Sequence, residues 1–188
     1  MKPYHFVIAY LMIFTSLYAS TEVVDYRGNN LYFGNFGEKN EEVQKRLTAV
    51  KSSSFSLDLS DNYLDDSCIE TLLSTLSSER AIEHLVILDL TNNRITQKGL
   101  LMLAPLLIRD EFRWLVAPVN DFGIEGIRAL FSDLETFANK KSEEVGMDRE
   151  ALLDTWLSKV IWVPETFDFD RLPLTPSSKE AHKQYYKK

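Results

Sequence analysis

The sequence has few of the residues from which catalytic and metal sites are built. Cys68 is its single cysteine, so no intrachain disulfide can form and stability must come from packing. Three histidines occur, His5, His84 and His182, and no cluster has the spacing of metal ligands. The seven glycines form neither a phosphate-binding loop nor a G-x-S-x-G nucleophile turn. We therefore expect no intrinsic enzymatic activity, no bound metal and no cofactor.

Positive charge is also scarce. The chain has 21 lysines and arginines against 28 acidic residues, which gives a formal net charge of −7. A nucleic-acid binder neutralises phosphates with a basic surface, so this balance argues against that class of protein. A short basic run in the last ten residues is typical of a solvated tail. At 188 residues and 45% hydrophobic content, the chain can bury the core of one domain.

Long apolar runs are absent except near the first residue. Lys2 precedes an apolar stretch from Phe6 to Phe14, and small and polar residues follow as far as Ser20. This order is typical of a secretory signal peptide, and the stretch is shorter than the roughly 20 residues of a membrane-spanning helix. We predict a secreted or periplasmic protein without stable membrane insertion after cleavage. An uncleaved N-terminal anchor and a buried apolar segment are the alternatives.

One short sequence recurs along the chain. Residues 57–64 read LDLSDNYL, residues 88–95 read LDLTNNRI, and residues 115–122 read LVAPVNDF as a weaker third copy. The asparagines that these copies share lie 31 and then 27 residues apart. They are Asn62, Asn93 and Asn120. Such a period indicates a repeat architecture.

Each copy has the pattern of a strand followed by a helix. Leucines alternate before the asparagine, as in Leu57 and Leu59, which is the period of a strand with one buried face. A small residue comes six positions after each asparagine, and leucines then recur every four residues, as in an amphipathic helix. The small residues are Cys68, Gly99 and Gly126, and the leucines are Leu72, Leu103 and Leu130, then Leu76, Leu107 and Leu134. We expect Cys68 to be a small buried hydrophobic residue.

At these residues the sequence resembles the leucine-rich-repeat family, in its ribonuclease-inhibitor-like class, whose units follow L-x-x-L-x-L-x-x-N-x-L-x-x-x-G-x-x-x-L. The second copy fits nearly every position, whereas the first departs at Ser54 and Cys68 and the third at Phe112 and Ala117. The resemblance covers about residues 54–134, less than half of the chain. It implies an α/β fold: a short solenoid of three units with parallel strands on its concave side, helices on its convex side and helical caps.

The resemblance and its flanks suggest a division of the chain. We predict a signal peptide over residues 1–20, an N-terminal cap over 21–53, three repeat units over 54–147, a C-terminal cap helix and strand over 148–164, and an extended or disordered tail over 165–188. Asn40 and Asp148 are candidate helix caps. Pro105 should kink or restart the second helix. The third helix is expected to reach about Lys141, and residues 160–163 to form a fourth strand.

The resemblance also places partner binding on the concave sheet face, at the strand residues that alternate with the inward leucines. The predicted face is acidic at Asp58 and Asp89 and apolar at Trp114, where an exposed tryptophan would anchor an interface. Alternatively, the carboxylates are merely solvated and Trp114 is covered by the C-terminal segment. The predicted binding residues are Asp58, Ser60, Asp89, Thr91, Trp114 and Val116.

These observations favour a monomeric, non-enzymatic module that binds a partner protein of unknown identity on its concave face. One alternative is a repeat scaffold that presents the C-terminal tail, which contains proline and lysine, as the recognition element. Another is a subunit of an enzyme complex whose chemistry comes from its partner.

Overall fold

A computed structural model describes residues 22–32, 45–46, 54–78 and 80–161 of the chain. These residues form one five-stranded sheet in which every pair of neighbours is parallel and the strand order follows the sequence. The strands are β1 (Glu22–Asp25), β2 (Phe55–Asp58), β3 (Leu85–Asp89), β4 (Trp114–Val116) and β5 (Val160–Ile161). The predicted α/β class and parallel sheet are confirmed. The predicted signal peptide, the Asn40 cap and the tail lie outside the described residues.

A helix follows each of the three central strands. The helices are α1 (Asp66–Ser78), α2 (Gln97–Met102), α3 (Ala104–Leu107), α4 (Gly123–Val145) and α5 (Arg149–Leu157), and a 3₁₀ turn spans Ala81–Glu83. α1 packs on α2, α2 on α4, and α4 on α5. We call residues 55–78, 85–107 and 114–145 the first, second and third segments, because each is a strand, a turn and the helical part that follows.

The core lies between the sheet and the helices. Leu57, Leu88 and Leu115 are neighbours in the register of the sheet, and each is fully buried. They share one apolar cluster with helix residues such as Leu72 and Leu130. Each such side chain contributes about 1.5–3 kcal/mol by leaving water. Cys68 belongs to the same cluster and is fully buried, as predicted.

Local sequence signals decide where most helices begin and end. α2 ends at Met102 and α3 restarts with Pro105 in its first turn, where the missing amide N–H costs no helical hydrogen bond. Asp148 caps α5, and its Oδ1 accepts from the amide of Ala151 at 2.8 Å. Both predictions are confirmed.

The predicted end of the third helix was wrong. α4 continues past Lys141 to Val145 and ends at Gly146, whose φ of 69° is readily adopted by glycine. The polar residues there, Ser142, Glu143 and Glu144, are half-buried or exposed and compatible with a helix, so their polarity does not break it. No helix in the described part of the chain combines the length and apolar character that crossing a membrane requires.

Candidate functional site

The three asparagines that end the strands join each segment to the one before it. In Asn93, Oδ1 accepts from the amide of Leu64 at 2.9 Å, and Nδ2 donates to the carbonyl oxygens of Leu59 and Leu90, each at 3.0 Å. Asn62 and Asn120 repeat this arrangement one segment earlier and one later. The amide side chains at the strand ends thus satisfy backbone groups of the turns. The strand ends are therefore aligned in a regular stack.

A column of residues in the left-handed conformation runs beside these asparagines. Asp61, Asn92 and Val119 each directly precede an asparagine and have φ values of 55°, 53° and 58°. Gly28 continues the column beyond β1, with a φ of 63°. The amide of Asp61 donates to the carbonyl of Thr91 at 2.9 Å, and two similar bonds join the other neighbours. We call Gly28, Asp61, Asn92 and Val119 the turn column.

Polar side chains connect Asp61 and Asn92 within the turn column, and Arg27 beside Gly28 joins them. Arg27 Nε lies 3.1 Å from Asp61 Oδ2, and Asn92 Nδ2 donates to Asp61 Oδ1 at 3.0 Å. Partial burial alone would lower the pKa of Arg27, but the carboxylates of Asp58 and Asp61 outweigh it and raise the pKa. Val119 has no polar group to join this network, and its side chain is 62% exposed.

A shallow cleft of about 450 Å³ runs along the turns of all three segments. Tyr63 is 47% exposed, and the guanidinium carbon of Arg94 lies 4.9 Å from the centre of its ring. Tyrosine and arginine are common where interfaces concentrate their binding energy. We call this feature the turn cleft. Its lining residues are Asp61, Asn62, Tyr63, Asn92, Asn93, Arg94, Val119, Asn120 and Asp121.

The register of the sheet brings three of the predicted binding residues into one row. Asp58 is the neighbour of Asp89, Asp89 of Val116, and Val116 of Ile161. Trp114 lies in a second row, beside Ile87. Ser60 and Thr91 follow at the ends of their strands.

The expected exposure of this face is wrong for half of the predicted residues. Ser60, Asp89 and Val116 are 0%, 2% and 1% exposed, whereas Asp58, Thr91 and Trp114 are half-buried. Alternation along a strand shows which face a side chain is on, but it does not show whether a second layer covers that face. Partner binding by these six residues stays a prediction.

The two central carboxylates of the face are fixed by their own strand ends. Oδ1 of Asp89 accepts from the amide of Thr91 at 2.9 Å and from its hydroxyl at 2.6 Å. Asp58 makes the same pair of bonds with Ser60. Burial raises the pKa of Asp89 to about 6, although the bonds from Thr91 oppose this shift. Asp89 is thus a buried acid whose charge changes in mildly acidic solution.

Several residues of this region were not singled out from the sequence. Arg27 lies before the recognised copies, and Tyr63 and Arg94 occupy a position that varies between them. A signal existed for Val119, since the residue before the shared asparagine is Asp61 in the first copy and Asn92 in the second. Comparing that position across the copies would have identified the valine as unusual.

The described residues contain no group of three or more histidine, cysteine, aspartate or glutamate side chains placed to bind a metal ion. No protein-family model matches the chain, and no curated protein matches it. The functional assignment therefore depends on the geometry of the turn column, the turn cleft and the sheet face.

Proposed function

We propose that the chain is a non-enzymatic protein-interaction module of the leucine-rich-repeat type. A partner protein binds at the turn cleft and at the adjoining half-buried edge of the sheet face. The observation that carries this proposal is Val119, an exposed valine in a backbone conformation that valine disfavours.

The side chain of Val119 gains little burial that would offset its backbone strain. The equivalent positions of the turn column hold Gly28, Asp61 and Asn92, which are residue types that accept a positive φ more readily. A β-branched residue there costs about 1–3 kcal/mol. Because its side chain is 62% exposed, burial within the described structure offsets little of that cost. Contact with a partner would give the exposed side chain a role.

The surroundings of Val119 have the composition of a small interface. Tyr63 and Val119 provide exposed apolar surface, and Arg94 stacks on the tyrosine ring. A stable protein interface buries about 800 Å² on each partner, so a footprint larger than these side chains is expected. Thr91, Asp58 and Trp114 are half-buried on the adjoining face and extend the surface in that direction.

The other parts of the proposal have separate support. Three successive segments with the same asparagine bonds and one parallel sheet are the features that a leucine-rich-repeat solenoid requires. Export is part of this proposal and is supported by the N-terminal sequence alone. The alternative in which the C-terminal tail is the recognition element concerns residues outside the described ranges.

The test is affinity capture followed by comparison of variants. Proteins captured by the wild-type chain are compared with those captured by Val119→Asn and by Tyr63→Ala, with folding checked by thermal unfolding. We expect both variants to lose the partner, with at least a tenfold weaker Kd for the purified pair, about 1.4 kcal/mol. Val145→Asn is the matched control, since Val145 is 53% exposed at the end of α4, away from the cleft. Retention of every captured protein by both cleft variants would refute the proposal.

A further inference from the structure

A second column of side chains lines the turn cleft, two residues further along the chain than the turn column. Tyr63, Arg94 and Asp121 each directly follow one of the shared asparagines. The amide of Arg94 donates to the carbonyl of Leu64 at 2.9 Å, and Tyr63 and Asp121 make equivalent bonds. The two columns therefore place two side chains of each segment beside two of the segment before it.

The second segment directs both of its column side chains toward the first. Asn92 Nδ2 donates to Asp61 Oδ1 at 3.0 Å. Because a carboxylate only accepts, the amide nitrogen faces Asp61 and Asn92 Oδ1 is directed elsewhere. The guanidinium carbon of Arg94 lies 4.9 Å from the centre of the Tyr63 ring, so this positive charge is also held over the first segment.

The third segment does not continue either contact. The side chain of Val119 has no donor, and Asn92 Oδ1 accepts no hydrogen bond from the part of the chain that the structure describes. Asp121 is exposed, and within the described ranges its carboxylate has neither a hydrogen-bond donor nor an ion-pair partner. All three residues line the turn cleft. We call Asn92, Val119 and Asp121 the acceptor end of the cleft, because the polar atoms it offers are oxygens.

We propose that the partner protein places a lysine or arginine side chain against the acceptor end. The aliphatic part of that side chain packs on Val119, and its cationic head donates to Asn92 Oδ1 and to the carboxylate of Asp121. Lysine and arginine combine an apolar stem with several donors and a positive charge. The inference rests on the proposed function and adds the chemistry of the group that the partner presents.

Other partner groups leave part of the acceptor end unsatisfied. A neutral hydroxyl or amide would bond to Asn92 Oδ1 but would bring the carboxylate of Asp121 into the interface without an opposite charge. An apolar side chain on Val119 would shield both oxygens from water and give no donor in return. The formal net charge of −7 favours the approach of a basic surface and disfavours a second copy of this chain.

The experiment selects peptides on the full chain and requires no natural partner. A displayed library of short peptides of random sequence is selected on the wild-type chain, and the peptides that bind are measured again on Tyr63→Ala and Val119→Asn. Peptides whose Kd either variant weakens at least about fivefold are the cleft peptides. We expect each to contain a lysine or arginine whose replacement by norleucine, which keeps the aliphatic stem, weakens the Kd at least about fivefold.

Asp121→Asn then identifies the residue that receives the positive charge. This variant removes the charge at nearly constant size and should weaken the Kd of the cleft peptides at least about fivefold. The losses from Asp121→Asn and from norleucine should not add, because both remove the same ion pair. Glu143→Gln is the matched control, since it changes the net charge equally at an exposed site of α4 that does not line the cleft. Thermal unfolding checks that both variants fold.

The outcomes separate this inference from its premise. Cleft peptides without an essential basic residue, or with equal affinity for Asp121→Asn and the wild-type chain, would overturn the inference and leave the proposed function intact. Equal weakening by Glu143→Gln would also overturn it, because the net charge and not Asp121 would then be recognised. A library that yields no peptide sensitive to Tyr63→Ala or Val119→Asn would contradict both the inference and the turn cleft as a binding site.

Discussion

The second and third segments share the same framework but differ at the surface beside it. Both pair a buried strand leucine with an asparagine that bonds back to the preceding segment. The second has Asp89 in the strand and Asn92 in the turn, whereas the third has Val116 and Val119 at the corresponding positions. The residues that stack one segment on the next are therefore retained, whereas the differences lie at a buried position of the strand and at an exposed position of the turn. The exposed difference, Asn92 against Val119, indicates a turn surface adapted to something other than folding.

The largest effect should come from replacing Asn93, which is more deeply buried than Asn120. Asn93→Ala removes the acceptor of the Leu64 amide and the donor to Leu59 and Leu90, all within the structure. We expect a loss of about 4 kcal/mol in the free energy of unfolding, measured by urea denaturation, because several buried groups lose their partners together.

Asn120→Ala should cost only about 1–2 kcal/mol, since Asn120 is half-buried and water can replace part of its bonding. Equal losses in the two variants would contradict the expected dependence on the solvent access of Asn93 and Asn120.

Asp89 can gain or lose a proton, whereas Val116 at the corresponding position of the third segment cannot. Asp89 should therefore make the free energy of unfolding depend on pH. The pKa of Asp89 is about 6 in the folded chain against 3.8 as its ordinary value, so the folded state holds the proton more tightly. The stability that this tighter proton binding gives to the folded state is complete below about pH 4 and is lost as the pH rises through about 6. The loss in the free energy of unfolding is at most about 3 kcal/mol.

Asp89→Asn should remove this slope from the free energy of unfolding between about pH 4 and 6. Asp58→Asn is the control, since Asp58 has the same bonding pattern but is half-buried. The slope should persist in that variant but be smaller, because burial is the largest cause of the raised pKa of Asp89 and the charge of Asp58 adds to it. A wild-type chain whose stability rises over this interval would contradict the assignment.

The strands and the turns that follow them were predictable from the local periodicity of the sequence. The alternation of Leu57 with Leu59, and the asparagine three residues later, specify the strand and its turn without information from distant residues. The burial of Asp89 and Val116 was not predictable in this way, since a strand with one covered face and a strand with two can show the same alternation. The end of α4 was missed because Gly146, rather than the polar residues before it, stops the helix.

The positive φ of Val119 is likewise caused by its neighbours in the turn and not by the valine itself. Nothing in the identity of Val119 favours a positive φ. The turn imposes it, because Asn120 bonds backward to Leu90 and the carbonyl of Pro118 accepts from the amide of Asn92. Such a conformation becomes visible from sequence only when equivalent positions are compared across copies.

The smallest effect is the most informative about the third segment. Val119→Asn places there the residue that the second segment has at Asn92, so the conformational strain should fall and the protein should become more stable by about 1 kcal/mol. The midpoint of thermal unfolding should rise by about 2–4 °C. Val145→Asn, at another exposed valine without a positive φ, should produce no such rise. A residue whose replacement improves folding while it abolishes capture of a partner would be explained by binding and not by structure, whereas a fall in stability would place Val119 among the framework residues.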